Sequence, residues 1–438
     1  MVTKTGLAVM AALAAIGLSQ GAVARTEIQW WHAMGGALGE RVADIAKGFN
    51  ESQSDYKVVP TYKGNYTETM TAGIAAFRAG KQPHILQVFE VGTATMMAAK
   101  GAIKPVYEVM SEAGEPFDPS VYLSTVTGYY MTNDGKLLSM PFNSSTPILY
   151  YNKDAFKAAG LPDKAPATWP EVADAARKLI ASGAATCGFT TAWQSWIQLE
   201  NLSAWHDVPF GTKANGFGGL DTEFVFNGPL QVRHIQQLAD WQKDRIFVYG
   251  GRRGDAQALF TNGDCAMYTQ SSAGRAGIKK TAGFAFGTGM LPYWPDVPGA
   301  PRNTIIGGAT LWVLGGHPDG DYKGVARFFT YLSSPEVQAK WHQGTGYLPI
   351  THAAYALTKK QGYYAANPGA ETALIQMTRA TPSKNSRGLR FGNFVQIRDI
   401  INQELEAIWG GKKTARQGLD AAVARGNKLL RKFERANN

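Results

Sequence analysis

Between Glu27 and Val88 the chain alternates strand and helix signals, and this alternation narrows its fold more than any other feature. Glu27 to Trp31 reads as a strand, and Leu38, Val42, Ile45, Ala46 and Phe49 then recur at helical spacing on one face. Tyr56 to Tyr62 is the next strand, followed by a helix expected to turn Met70, Ile74 and Phe77 inward. His84 to Val88 is a short apolar strand. A βαβαβ order predicts a parallel sheet covered by helices.

A second unit opens with a strand at Pro147 to Tyr151 and a helical stretch through Lys157. Thr168-Trp169-Pro170-Glu171 is a capping box, in which a hydroxyl and a carboxylate satisfy free backbone donors at a helix start. Val172, Ala175, Ala176, Leu179 and Ile180 form that helix's buried face. Cys187 to Thr191, Asp264 to Gln270 and Thr310 to Leu314 are strand-like. Trp409-Gly410-Gly411 ends one helix, and Thr414 with Gln417 starts the last. A chain of 438 residues exceeds one ordinary core; at roughly 150 residues per domain, two or three are expected. No period repeats and no low-complexity linker intervenes. The units are therefore expected to share a packed hinge crossed more than once.

Lys4, the apolar run Gly6 to Leu18 and the small-x-small triplet Ala22-Val23-Ala24 read as a secretory signal peptide, residues 1–24, cleaved after Ala24. A membrane-spanning helix needs about 20 apolar residues, so this run is too short to remain as an anchor. No Cys lies near the cleavage site, so a lipid-anchored form is not expected and the mature chain belongs in a periplasm. That compartment permits disulfides. Cys187 and Cys265 are the only two cysteines; one bridge and a reduced buried pair both fit them. The formal charge of +10 falls to +9 with Lys4 removed. Its densest basic stretch, Lys428 to Arg435, is interrupted by Leu429, Leu430 and Phe433 at helical spacing, a solvated helix face rather than a nucleic-acid patch.

The seven His residues are scattered at 32, 84, 206, 234, 317, 342 and 352, and none pairs with another at the spacing of a helix-borne metal site. There is no nucleophile-elbow motif and no Walker phosphate loop. What is present is a set of polar residues at strand ends, where open α/β sheets bind ligands. Glu90 follows the third strand, Tyr66 lies in the loop after Tyr56 to Tyr62, and Asn143-Ser144-Ser145-Thr146 stands where the first unit gives way to the second. Ser271 and Ser272 follow the strand ending at Gln270, and Gly307-Gly308 precedes another. Singly, each is an ordinary turn or cap residue.

Longer segments carry a resemblance. They are Pro60 to Tyr66, Gln87 to Met97, Pro141 to Asp154, Trp193 to Asn201, Asn262 to Met267, Ile305 to Ala309, Thr345 to Ile350, Gly392-Asn393 and Gln396 to Arg398. With them, the sequence from about Trp30 to Phe433 resembles the periplasmic glycerol-3-phosphate-binding components of ABC importers. These belong to the larger class of sugar binders shaped like maltose-binding protein. The resemblance implies an α/β, two-lobe periplasmic binding protein fold of type II, with a ligand cleft between lobes and a multi-crossing hinge. Lobe I is expected at 25–145 and 272–316, and lobe II at 146–271 and 317–438. The implied contacts are Tyr66, Glu90, Ser145, Trp193, Ser271, Gly308, Tyr347 and Arg398. Two positions depart from the pattern: Phe89 and Val395, where Tyr and Pro are more usual, and neither is an implied contact.

Chemistry gives these residues roles. A phosphate monoester carries about −1.5 to −2 charge and accepts hydrogen bonds. Arg398, the Ser145 and Ser271 hydroxyls and the Gly308 amide are matching donors. Glu90 suits the glycerol hydroxyls, Trp193 the carbon chain, and Tyr66 and Tyr347 combine ring contact with a phenol hydrogen bond. The expected function is capture of sn-glycerol 3-phosphate, extending to glycerophosphodiesters such as glycerophosphocholine. The expected partners are an inner-membrane ABC permease and its cytoplasmic ATPase. The chain is expected to be a monomer without catalytic residues, metal, cofactor or nucleic acid. A neutral-oligosaccharide binder of the same fold and an extracytoplasmic phosphodiesterase are the competing readings.

Overall fold

A computed structural model describes residues 25–438; the expected signal peptide lies outside the described residues. The strands in chain order are β1 (Thr26–His32), β2 (Tyr56–Tyr62), β3 (Ile85–Phe89), β4 (Ile103–Lys104), β5 (Met140–Ser145), β6 (Pro147–Asn152), β7 (Cys187–Thr191), β8 (Cys265–Ser271), β9 (Phe286–Gly289) and β10 (Gly307–Leu314). They form a six-stranded sheet of order β2-β1-β3-β10-β4, with β5 also on β10, and a four-stranded sheet of order β7-β8-β6-β9.

The expected parallel pairing holds for β1 with β2 and β3. The first sheet as a whole is mixed, because β10 runs antiparallel to β3, β4 and β5. β10 does not follow a helical crossover from a neighbouring strand. It returns from the second sheet and enters from the opposite direction. β3 is buried along its whole length, as a central strand covered on both faces must be. Its one polar residue, Gln87, accepts from the Ala33 amide at 2.7 Å and donates to Asn143 Oδ1 at 2.8 Å.

Helix Gly36–Ser52 buries Val42, Ile45, Ala46 and Phe49, the stripe read from the sequence. Helix Tyr66–Arg78 is rotated from its expected orientation: it buries Thr69, Met70 and Gly73, while Ile74 is 37% exposed and Phe77 half-buried. The cause is Gly73. A Cβ there would lie 2.5 Å from Leu86 Cδ2, so the bare backbone seats on β3 and Ile74, one step round the helix, faces out. The capping boxes Thr168/Glu171 and Thr414/Gln417 are both formed.

The expected lobe boundaries differ from sheet membership. β9 hydrogen-bonds β6, so 286–289 belongs with the second sheet rather than lobe I. Helix Asp319–Leu332 packs on β1 and on helix Val106–Ala113, and Pro335–Thr345 packs on Gly36–Ser52, placing both with the first sheet rather than lobe II. Helices Pro229–Lys243, Phe394–Trp409 and Ala415–Asn437 pack together beside the second sheet. A boundary cannot be read from helix and strand signals alone, since the same amphipathic helix covers either sheet. The chain leaves the first sheet through Thr146, whose hydroxyl is bound to Thr304 Oγ1 at 2.7 Å and Ile305 O at 3.1 Å. The outgoing and returning segments are thus tied together.

Cys187 and Cys265 face each other across the β7–β8 pair and are bonded, with Cα atoms 4.5 Å apart. A cross-link closing a loop of this length constrains the unfolded chain. Reduction, or Cys187→Ala with Cys265→Ala, is expected to lower unfolding free energy by about 2–4 kcal/mol, measured by urea denaturation with and without reductant. An unchanged midpoint would contradict it.

Candidate functional site

Four strand ends from the two sheets meet around one cavity of about 300 Å³, at the low end of small-molecule sites. β3 delivers Glu90, β5 ends in Ser145, β8 ends in Ser271, and β10 begins with Gly307-Gly308. Ser145 pairs with Gly307, and the Ser272 amide donates to Thr146 O at 2.9 Å. Both serines are therefore fixed at the crossing between sheets. All eight residues named from the sequence line this cavity: Tyr66, Glu90, Ser145, Trp193, Ser271, Gly308, Tyr347 and Arg398. Tyr66 is not in a loop; it is the first residue of helix Tyr66–Arg78, capped by Asn65. Leu38, expected in the core, also lines the cavity, as does Phe89.

The aromatic walls are held by stacking. Tyr66 lies flat on Phe89, ring centres 5.2 Å apart, and its hydroxyl accepts from Asn143 Nδ2 at 2.8 Å. Tyr347 lies flat on Trp341 at 5.6 Å. Trp193 occupies the left-handed backbone region, φ +43°, a conformation costly outside glycine and common at binding sites. Its amide donates to Arg253 O at 2.8 Å, which holds the turn after β7.

Charge is concentrated at one point. Arg398, on helix Phe394–Trp409, is only 9% exposed. Its Nε and Nη2 donate to the two Glu200 oxygens at 2.9 and 2.6 Å, and Nη1 meets Glu90 Oε1 at 2.7 Å. Burial opposes its charge, but the Glu200 and Glu90 carboxylates outweigh burial and hold the guanidinium above its ordinary pKa. Burial raises the Glu90 carboxyl; Arg398 pulls it back and Glu200 pushes it up again, leaving it above the usual carboxylate range. Asp399 and Glu404, neighbours to which a surface Arg398 would turn, pair elsewhere: Glu404 is bound by Lys413 and Arg425. Glu200 carries no assignment from the sequence. It is the one charged residue between Lys178 and Asp207, a signal that a carboxylate was being buried with a partner.

A second cluster also escaped the sequence. His84 and His317, 233 positions apart, stack at 3.9 Å, and His84 Nε2 lies 3.0 Å from Asp321 Oδ2. This group sits at the start of β3, the end opposite Glu90. Imidazoles stacked face to face do not aim lone pairs at one point. His84 Nδ1 is already taken, accepting from the Gln29 amide at 3.0 Å.

The description of bacterial extracellular solute-binding proteins matches residues 44–372, three quarters of the chain. The chain belongs to this family. The solute-binding protein is 55% identical over 438 residues to the sn-glycerol-3-phosphate-binding periplasmic protein UgpB of Yersinia enterocolitica, covering 100% of this chain and 99% of that one. It is 56% identical over 418 residues to the UgpB of Salmonella typhimurium, covering 95% of each. Among solved structures, UgpB from Mycobacterium tuberculosis in complex with glycerophosphocholine superposes with a TM-score of 0.79 at 22% identity, covering 94% of this chain and 100% of that one. Maltose-bound MalE3 of T. maritima superposes at 0.75 and 19%, covering 93% and 100%. At such identities the likeness speaks for the fold: the mixed α/β, two-sheet periplasmic binding protein fold.

Proposed function

We propose that this solute-binding protein captures sn-glycerol 3-phosphate in the periplasm and hands it to an inner-membrane ABC permease driven by a cytoplasmic ATPase. The observation that carries the reading is the convergence, on one small cavity between two sheets, of a buried guanidinium, two serine hydroxyls, a glycine backbone and a carboxylate. The 55% identity to a glycerol-3-phosphate-binding relative over its full length supports the same ligand. The phosphoryl oxygens take donors from Ser145, Ser271, Gly308 and the free N–H of Arg398 Nη1. The glycerol hydroxyls donate to Glu90, and the carbon chain lies along Trp193, Tyr66 and Tyr347.

The two sheets with their helices act as lobes that close on the ligand, since only a bridging molecule stabilises the closed form. Closure removes water and strengthens each electrostatic contact, and the closed shape is what the permease recognises. A neutral-oligosaccharide binder needs no buried arginine at the cavity wall, so that alternative is disfavoured. Glycerophosphodiesters share the phosphoryl and glycerol ends and are included in the test. Glycerol 3-phosphate at a hundred times its dissociation constant is expected to add about 2.7 kcal/mol to unfolding free energy, and maltose nothing, by thermal melting with calorimetric titration. Melting unchanged by glycerol 3-phosphate and glycerophosphocholine would overturn the reading.

A further inference from the structure

Glu200 does not line the cavity, yet it engages Arg398 more fully than Glu90 does. Its side chain is fully enclosed. It stands on a π-helical turn, Trp196–Asn201, a local irregularity that rotates the helix so that Glu200 faces Arg398. Ser195 Oγ donates to its Oε1 at 2.9 Å, so the carboxylate is held from a second side. The two bonds to Nε and Nη2 use the planar edge of the guanidinium and leave the Nη1 corner pointing to Glu90 and the cavity. We propose that Glu200 is a positioning residue that fixes the Arg398 fork and, by cancelling its charge, makes capture of a phosphomonoester dianion depend on uptake of a proton. This rests on the reading that the cavity takes glycerol 3-phosphate.

The charge inventory supports it. Arg398 and Glu90 are the only ionised side chains on the cavity wall, and no histidine or lysine joins them among the described residues. Two carboxylates against one guanidinium leave the cluster with one negative charge. The segment Glu90–Gly92 packs on helix Phe394–Trp409, on Thr93–Ala98 and on β10, and of these only the first brings charge to it. Arg253 and Asp399 stand further out, at an adjoining opening. The remaining groups facing Glu90 are the phenols of Tyr66, Tyr129, Tyr130 and Tyr347, neutral because burial pushes each above its ordinary pKa. A dianion entering this cavity meets neutral dipoles, a guanidinium already matched by Glu200, and a like-charged Glu90. When a phosphoryl oxygen takes the second N–H of Arg398 Nη1, Glu90 must share that corner of the guanidinium and is left buried beside two negative groups. Solvent supplies the proton, and Glu90 becomes a carboxylic acid that still accepts from a glycerol hydroxyl at its carbonyl oxygen while its new O–H donates to the ligand.

The liganded form thus holds more protons than its separated parts, so affinity rises as pH falls, by up to about tenfold per unit for a full proton. The working window lies above the second phosphate pKa of about 6, so that the ligand is a dianion when free. Calorimetric titration of glycerol 3-phosphate near pH ~7.5, in two buffers of different ionisation enthalpy, is expected to show uptake of about half to one proton per ligand. Glu200→Gln keeps an acceptor for Arg398 Nε and removes the charge. Its proton uptake should fall by about half or more and its pH profile flatten, with affinity within about threefold of the parent or tighter. Glu200→Ala, which loses the fork contact, should bind about tenfold or more weakly. Zero uptake by the parent protein, or equal uptake in parent and Glu200→Gln, overturns the proposal; a purely structural Glu200 weakens binding equally at every pH. Should Glu200→Gln fail to give a cooperative melt, a flat parent pH profile still overturns it. Failure of the parent to bind glycerol 3-phosphate in any buffer strikes instead at the function on which the proposal rests.

Discussion

Arg398→Ala is expected to abolish measurable capture of glycerol 3-phosphate and to destabilise the ligand-free protein by about 3–5 kcal/mol at neutral pH. The second effect follows from what remains. Glu90 and Glu200 are 5% and 1% exposed, and removing the guanidinium leaves both carboxylates buried without a cation. The Glu90 carboxyl, raised by burial and held down by Arg398, then loses that restraint and its folded-state pKa climbs further above the unfolded one, so the folded state binds more protons. The deficit should be complete above that folded pKa and shrink as pH falls through it. Urea denaturation of parent and variant at pH ~7 and ~5 checks this: the gap should narrow at the lower pH. Trp196→Phe keeps every charge and trims one buried ring whose Nε1 reaches Ile306 O at 3.4 Å. It should cost about 1–2 kcal/mol of stability and leave most of the affinity. Equal loss of binding in the two variants would contradict the role given to Arg398.

Gly308→Ala should be nearly as damaging, for a steric reason. Gly308 has φ +98°, and a Cβ there would stand 1.8 Å from the Asn143 carbonyl oxygen and 2.9 Å from its carbon. Both are backbone atoms of β5, so no side chain can swing aside. The unfavourable dihedral costs about 1–3 kcal/mol and the overpacking a similar amount. The strand pairing between Gly308 and Ser144 must open to relieve them. Since Ser145 follows directly, the opening also moves a cavity hydroxyl. A variant that melts within a degree or two of the parent and binds normally would show that β5 and β10 can separate here without consequence.

Local features of this fold were legible because they are decided locally. The capping boxes at Thr168 and Thr414 depend on residues three apart, and the stripe Val42, Ile45, Ala46, Phe49 needs only that some apolar surface lie on one side. The strand-end positions of Glu90, Ser145 and Ser271 follow from where apolar runs stop. The eight cavity residues were legible as a set only through the resemblance, since a serine or glycine after a strand has many uses. The outward turn of Ile74 was not legible: helical spacing allows either 70-73-77 or 70-74-77 to face in, and contact with Leu86 chooses between them.

By itself, then, the sequence determined the alternating elements, their caps, the pair of cysteines available for one bridge and the residues offered at strand ends. These follow from side-chain size, polarity and spacing, which act over a few residues. Only the tertiary structure decided that Glu200 would lie against Arg398, that His84 would stack on His317, that β10 would run against β3, and that β9 would join the second sheet. Those choices depend on which distant surfaces meet and exclude water together, and a buried charge becomes tolerable only once its partner has been folded to within hydrogen-bonding distance.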